Sequence, residues 1–160
     1  MKMVGKIVGA VLACLIVLLV VLRITGLEPH NRTPGLWLKG NLVTTPVNDW
    51  SFTDKVPQVH IQTSTWYLLP HSVTINCIAY NGQLYVASVY PASTPRHHWN
   101  DDVMRNPHVR IQVGDSLYDR TVTPVTDPAE REAVLKARAQ KYPQLKIPAD
   151  AVIRIFRVVG

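Results

Sequence analysis

The chain has 160 residues, 47% of them hydrophobic, and a formal charge of +6, which leaves room for one folded domain beside an apolar N-terminal run. Three of the 17 lysines and arginines flank that run, leaving 14 scattered basic residues against 11 acidic ones from Glu28 onward. Such a balance excludes an electrostatic footprint for nucleic acid and a polybasic membrane patch.

Ile7 to Leu22 are sixteen uncharged residues in a row, and the apolar stretch from Val4 to Leu27 spans about 24 residues if Lys6 and Arg23 snorkel outward. That length crosses a bilayer, so an unattached cytosolic enzyme is disfavoured. Arg23-Ile24-Thr25-Gly26-Leu27-Glu28 offers no small-x-small cleavage site, so residues 1–27 read as an uncleaved transmembrane signal anchor. Val11-Leu12-Ala13-Cys14 resembles a lipoprotein box, but eight more apolar residues follow Cys14 and would bury the acylated group in mid-membrane; lipidation is not expected. Lys2 and Lys6 nearly balance Arg23, Arg32 and Lys39. The short tail ahead of the run therefore sets the expected orientation: N-terminus in the cytoplasm, C-terminal domain periplasmic, on the inner (plasma) membrane.

Residues 28–56, with Pro29, Pro34 and Pro46 and little periodicity, predict an extended connector along the membrane surface or the domain. Trp37 and Trp50 in it either sit at headgroup level or pack on the barrel. Past Pro57 the apolar period becomes two. Val59 and Ile61 mark one strand, and Val73, Ile75, Cys77 and Ala79 a second. Asn81-Gly82 then turns a hairpin into Gln83 to Val89. Val109 to Val113, a Gly114-Asp115 turn, Ser116 to Val125 and Ala151 to Val159 complete the strands. A short helix is predicted over His98 to Arg105. A long one opens at Asp127, with Pro128 at its first position and Glu130 in capping-box spacing, and runs to Tyr142 before Pro143. The two cysteines form no disulfide, because Cys14 lies in the membrane run and Cys77 on a strand. His97-His98 with Asp101 and Asp102 lacks the spacing of a dedicated metal site, so no metal is expected. Ser72 lacks a nucleophile elbow, and no catalytic residue is assigned.

Hairpins with helices between them imply an α+β fold, a small antiparallel split β-barrel over residues 57–160, preceded by a single transmembrane helix. From Tyr80 to Pro143 the order of features resembles the split-barrel flavin-binding superfamily, in its deazaflavin-dependent nitroreductase and quinone-reductase-like branch. The features are the hairpin, the Trp99 helix, Asn106-Pro107-x-Val109, the Gly114 turn and Asp127-Pro128-Ala129-Glu130. The resemblance implies FMN or deazaflavin as cofactor, with its phosphates held by a glycine- and arginine-rich turn after the first barrel strand. The corresponding stretch here, Thr63 to Ser72, contains no glycine, arginine or lysine. The leading expectation is therefore a barrel without cofactor, acting as an accessory subunit of a membrane electron-transfer complex (respiratory or photosynthetic). Its partners would be the other subunits and the lipid bilayer, met through Trp37, Trp50, Trp66 and Tyr67. The alternative is a membrane-anchored flavin- or deazaflavin-dependent oxidoreductase acting on a quinone or nitro compound. In that case Trp66, Tyr67, His71, Arg96 and Trp99 would bind the cofactor, with the Trp66 to Ser72 segment along the ring, and Arg96, Arg105 and Arg110 are candidates to hold a phosphate.

Overall fold

The structure, a computed structural model, describes residues 2–31, 33–93 and 98–160. Helix α1 (Lys2–Thr25) contains one span, Met3–Thr25, that is long and apolar enough to cross a membrane, and its most apolar window packs against nothing. At 1.5 Å per residue it reaches about 35 Å, more than the hydrocarbon thickness of a bilayer. Gly26 ends it: at φ +78° its N–H bonds the Leu22 carbonyl at 2.9 Å, a left-handed cap that a side chain would strain.

After a short β1 (Asn41–Leu42) and a 3-10 helix (Ser51–Lys55), the chain forms β2 (Val59–Ser64), β3 (Pro70–Tyr80), β4 (Gln83–Pro91), α2 (His98–Arg105), β5 (His108–Val113), β6 (Ser116–Pro124), α3 (Pro128–Lys141) and β7 (Ala151–Val159). The sheet order β6-β5-β2-β3-β4-β7 closes on itself through a β6–β7 pairing, giving a barrel of six antiparallel strands. Strand β6 is where the barrel splits: Ser116 and Leu117 take β1 as a parallel neighbour, whereas Thr121 to Pro124 pair with β7.

Period-two patterning places Val59 and Ile61, Ile75 and Cys77, Leu84 and Val86, Val109 and Ile111, Phe156 and Val158 together in one buried cluster. Each large apolar side chain there gains about 1.5–3 kcal/mol by leaving water. The opposite faces of β3, β4 and β7 present Ile78, Tyr85, Ala87 and Ile155, and α3 covers them with Val134 and Tyr142. Helix α3 starts as its sequence demands, with Asp127 accepting the Glu130 N–H at 2.7 Å. At its other end the buried Tyr142 hydroxyl lies 2.7 Å from the Pro57 carbonyl and 2.8 Å from that of Cys77, and accepts the Cys77 N–H at 3.2 Å.

One expectation changes and one open alternative is decided. Strand β3 begins at Pro70, earlier than the alternation suggested, because proline tolerates the first position of a strand and pairs there with Ser64. The Thr63 to Ser72 stretch is therefore mostly ladder, and only residues 65–69 turn. Of the two courses expected for the connector, along the membrane surface or along the domain, residues 35–50 take the second. Trp50 is 3% exposed, edge-on to Tyr118 at 5.0 Å, with its N–H on the Gly82 carbonyl, so of its two readings packing on the barrel holds. A side chain so enclosed has no face to offer a partner, which removes Trp50 from the docking residues.

Candidate functional site

Where β2 and β3 meet α2, a polar cluster interrupts the apolar core. The carboxylate of Asp102, buried on α2, accepts from Arg105 at 2.7 Å, and its other oxygen lies 3.1 Å from the Thr63 hydroxyl. That hydroxyl is also 3.2 Å from the His71 carbonyl, and the Arg105 guanidinium reaches the Ser64 carbonyl at 2.9 Å. His71 Nδ1 stands 3.7 Å from the Asp102 carboxylate, an ion pair whenever the ring is protonated. Two residues earlier on α2, the buried Asn100 amide donates to Ser88 Oγ on β4 at 3.0 Å. The i, i+3 spacing of Asp102 and Arg105 explains their meeting on a helix. Burial of the carboxylate is tolerable because it has two donors.

Two members of this cluster, His71 and Ser88, also line a cleft of about 690 Å³, together with Thr74, Trp99, Arg138 and Lys146 among others. Arg138 is its unusual member. On α3 it is 4% exposed, donates to the Leu145 carbonyl at 3.2 Å and keeps a buried Nε without a partner. No carboxylate pairs with it among the described residues, and burial pushes its pKa down. The Thr74 hydroxyl, on the same cleft, is also buried without a partner. Unsatisfied buried donors of this kind are costly.

Of the cofactor-binding candidates, His71 and Trp99 come together on this cleft. Trp66 and Tyr67 do not: they stand at the tip of the β2–β3 turn, edge to face at 5.4 Å, 77% and 50% exposed. Arg96 lies outside the described residues. Arg105 is committed to Asp102, and Arg110 holds Asp119 through two bonds of 2.6 and 2.8 Å, so neither is free for a phosphate. Trp37 lies under the Arg23 guanidinium at 5.8 Å, beside the end of α1. Sequence reasoning missed Asp102 as a centre and Arg138 altogether. Arg138 looks like an ordinary complement to the helix dipole, and only the packing of α3 onto β3 shows that it is buried.

A closed six-stranded barrel, split at β6 and carrying a helix between β4 and β5, is the split barrel of the flavin- and deazaflavin-binding proteins. The solved structures bear this out. An F420-H2-dependent reductase is 28% identical with a TM-score of 0.51, over 64% of this chain and 94% of that one. A protein solved as a domain-swapped dimer is 29% identical with a TM-score of 0.50, over 64% of this chain and 80% of the other. A conserved hypothetical protein from Mycobacterium tuberculosis, 13% identical, shares the fold with a TM-score of 0.55 over 78% of this chain and 85% of its own. The sequence matches no family model and no curated protein.

Proposed function

We propose that this protein is a membrane-anchored oxidoreductase that binds a flavin or deazaflavin in the His71–Trp99–Arg138 cleft and reduces a lipid-soluble acceptor such as a quinone, or a nitro compound. The observation that carries the reading is the buried Arg138, its Nε unpaired and no carboxylate beside it among the described residues, on a cleft walled by Trp99, in a fold shared with an F420-H2-dependent reductase. The expected accessory subunit rested on a β2–β3 turn without glycine or cation. The cleft supplies the cation elsewhere, through Arg138 and Lys146, and the structure offers no comparable support for a complex.

The residues fit such a group. Trp99 and Val89 give apolar wall, Ser88 and Thr74 give hydroxyls, and Arg138 offers a donor to an anion. A bound flavin or deazaflavin supplies the hydride. The chain then has to orient the ring, keep water away and deliver a proton. His71, on the cleft and 3.7 Å from the Asp102 carboxylate that Thr63 and Arg105 hold in place, is positioned to hand over that proton. α1 brings the barrel to acceptors dissolved in lipid. Under this reading the barrel faces the compartment that holds the reductant. The family resemblance puts that in the cytoplasm, opposite to the periplasmic side expected from the anchor alone.

The test is titration of the full chain in nanodiscs with F420 and with FMN, followed by absorbance and ring fluorescence. Saturable binding of one chromophore per chain is expected. Arg138→Met, which keeps the volume, should weaken it at least tenfold, and His71→Ala should slow reduction of a soluble quinone while leaving binding within a few-fold. Absence of binding by either chromophore would remove the enzymatic reading.

A further inference from the structure

From Val56 to Pro95 the sequence contains no lysine, arginine, aspartate or glutamate, and the β2–β3 turn lies within that stretch. Its tip exposes Trp66, Tyr67 and Leu68, the last at 94%, in a barrel whose other large apolar side chains are mostly enclosed. Leu68 is held at φ +68°, in the left-handed region that a leucine normally avoids, and the Thr65 hydroxyl closes the turn on the Leu69 carbonyl. The backbone thus adopts an unfavourable conformation that displays an apolar side chain to the outside. Solubility and turn propensity both argue against such a tip, so something other than water meets it.

The position of α1 identifies what that is. Its last turn does not hang on a loose linker. Leu27 and Leu36 are bonded to the Trp37 and Leu27 carbonyls, Gly35 and Ser72 exchange backbone bonds of 2.8 and 3.0 Å, and Gln62 and Gln112 on β2 and β5 bind the Leu38 N–H, the Glu28 carboxylate and the Lys39 carbonyl. A Cβ on Gly35 would fall 2.2 Å from the Leu27 carbonyl oxygen, so the clamp depends on glycine there. Arg23 and Trp37 border a cleft of about 700 Å³ that also touches Ser64, Thr65 and Leu68. Two residues later, Thr25 to Glu28 border the space at the opposite end of the same strands, beside Gly114 and Asp115. The chain leaving the membrane therefore runs along β2 and β5 away from the β2–β3 turn, and the bilayer lies on the turn's side.

We infer that the β2–β3 turn is a second membrane contact, with Trp66, Tyr67 and Leu68 seated in the interfacial layer beside the end of α1. The chemistry around the tip matches that layer. Tryptophan and tyrosine prefer the headgroup level, and the exposed Arg23 borders the same cleft as Leu68, where lipid phosphates sit. With two contacts the barrel is fixed in tilt as well as tethered, and the cleft between α1 and the turn opens at the lipid surface. The inference concerns the same membrane approach as the proposed reductase activity, but it does not depend on a cofactor.

The experiment uses the full chain in nanodiscs of phosphatidylcholine with an anionic lipid, carrying Cys14→Ser and a spin label at Leu68→Cys. The same label at Asp115→Cys, in the turn at the other end of β5, serves as reference. Both positions are exposed, so the labels leave the core intact. At Leu68→Cys, power saturation should show oxygen collisions favoured and collisions with a water-soluble nickel chelate reduced at least threefold relative to Asp115→Cys. Equal nickel access at the two positions would overturn the proposal. So would shielding from both probes that persists in detergent, which would show a second protein on the tip. Chromophore titration of the same labelled sample separates a failure here from a failure of the enzymatic reading.

Discussion

The two ends of β3 solve the same problem in opposite ways. At one end Asn81-Gly82 joins β3 to β4 with two residues at φ +50° and +74°, the arrangement whose twist suits a hairpin and whose residue types tolerate it. The Gly82 carbonyl there also receives the Trp50 N–H, tying the connector to the barrel. At the other end residues 65–69 follow a ladder that runs to Ser64 and Pro70, and the left-handed position is filled by leucine instead of glycine or asparagine. The first turn agrees with every local rule. The second breaks backbone and solvation preferences together, and such joint violations concentrate where a protein meets something other than itself.

The largest expected effect comes from undermining the seat of one end. Phe156 is buried at the centre of the barrel, 5.5 Å from the Trp99 ring that anchors α2. Phe156→Ala should cost about 3–5 kcal/mol through lost burial and the cavity left behind, read by denaturant unfolding in micelles. Hydrogen exchange should show α2 and the β2–β3 end losing protection more than the Asn81-Gly82 end. Uniform loss would mean that the two ends are not separable in stability.

A smaller, opposed pair of effects tests the comparison directly. Gly82→Ala places a side chain at φ +74° and should destabilise by about 1 kcal/mol. Leu68→Gly relieves a residue already held in that region and should leave stability unchanged or raise it by up to about 1 kcal/mol in detergent. If Leu68→Gly destabilised as much as Gly82→Ala, the leucine would be a packing residue and not a displayed one.

Much of the barrel was legible before any coordinates. Period-two alternation, Asn81-Gly82 and the Asp127 cap are local signals, and each element they mark is present. The helix over His98 to Arg105 falls where Asn106-Pro107 ends it. The site was harder to see, because its parts become neighbours only through closure. Thr63, His71 and Asp102 sit on three elements, and Arg138 is buried only because α3 lies against β3. Trp50 shows the same limit: its residue type suits an interface or a core equally, and only the return of the chain to Gly82 decides between them.

The smallest effects distinguish the two ends by their charges. At the turn end, two hydrogen bonds from Arg110 hold the Asp119 carboxyl below its ordinary range. At the other end, the side-chain and backbone hydrogen bonds of Ser51 do the same for Asp49, whose Oδ1 lies 3.5 Å from where a Cβ on Gly82 would stand. A carboxyl depressed in the folded state contributes stability that is complete above its unfolded value of about 3.8 and is lost as pH falls through the lower folded value. Asp119→Asn and Asp49→Asn should therefore both destabilise at neutral pH and converge with the parent in acid, the first by less than about 1 kcal/mol because the pair is exposed. Salt separates them. Asp119 is held by a full opposite charge, so about 0.5 M sodium chloride should remove most of its effect, whereas the neutral donors around Asp49 are little screened. Equal salt sensitivity at the two positions would show that a cation also supports the Asp49 carboxylate, and that the two ends are electrostatically alike.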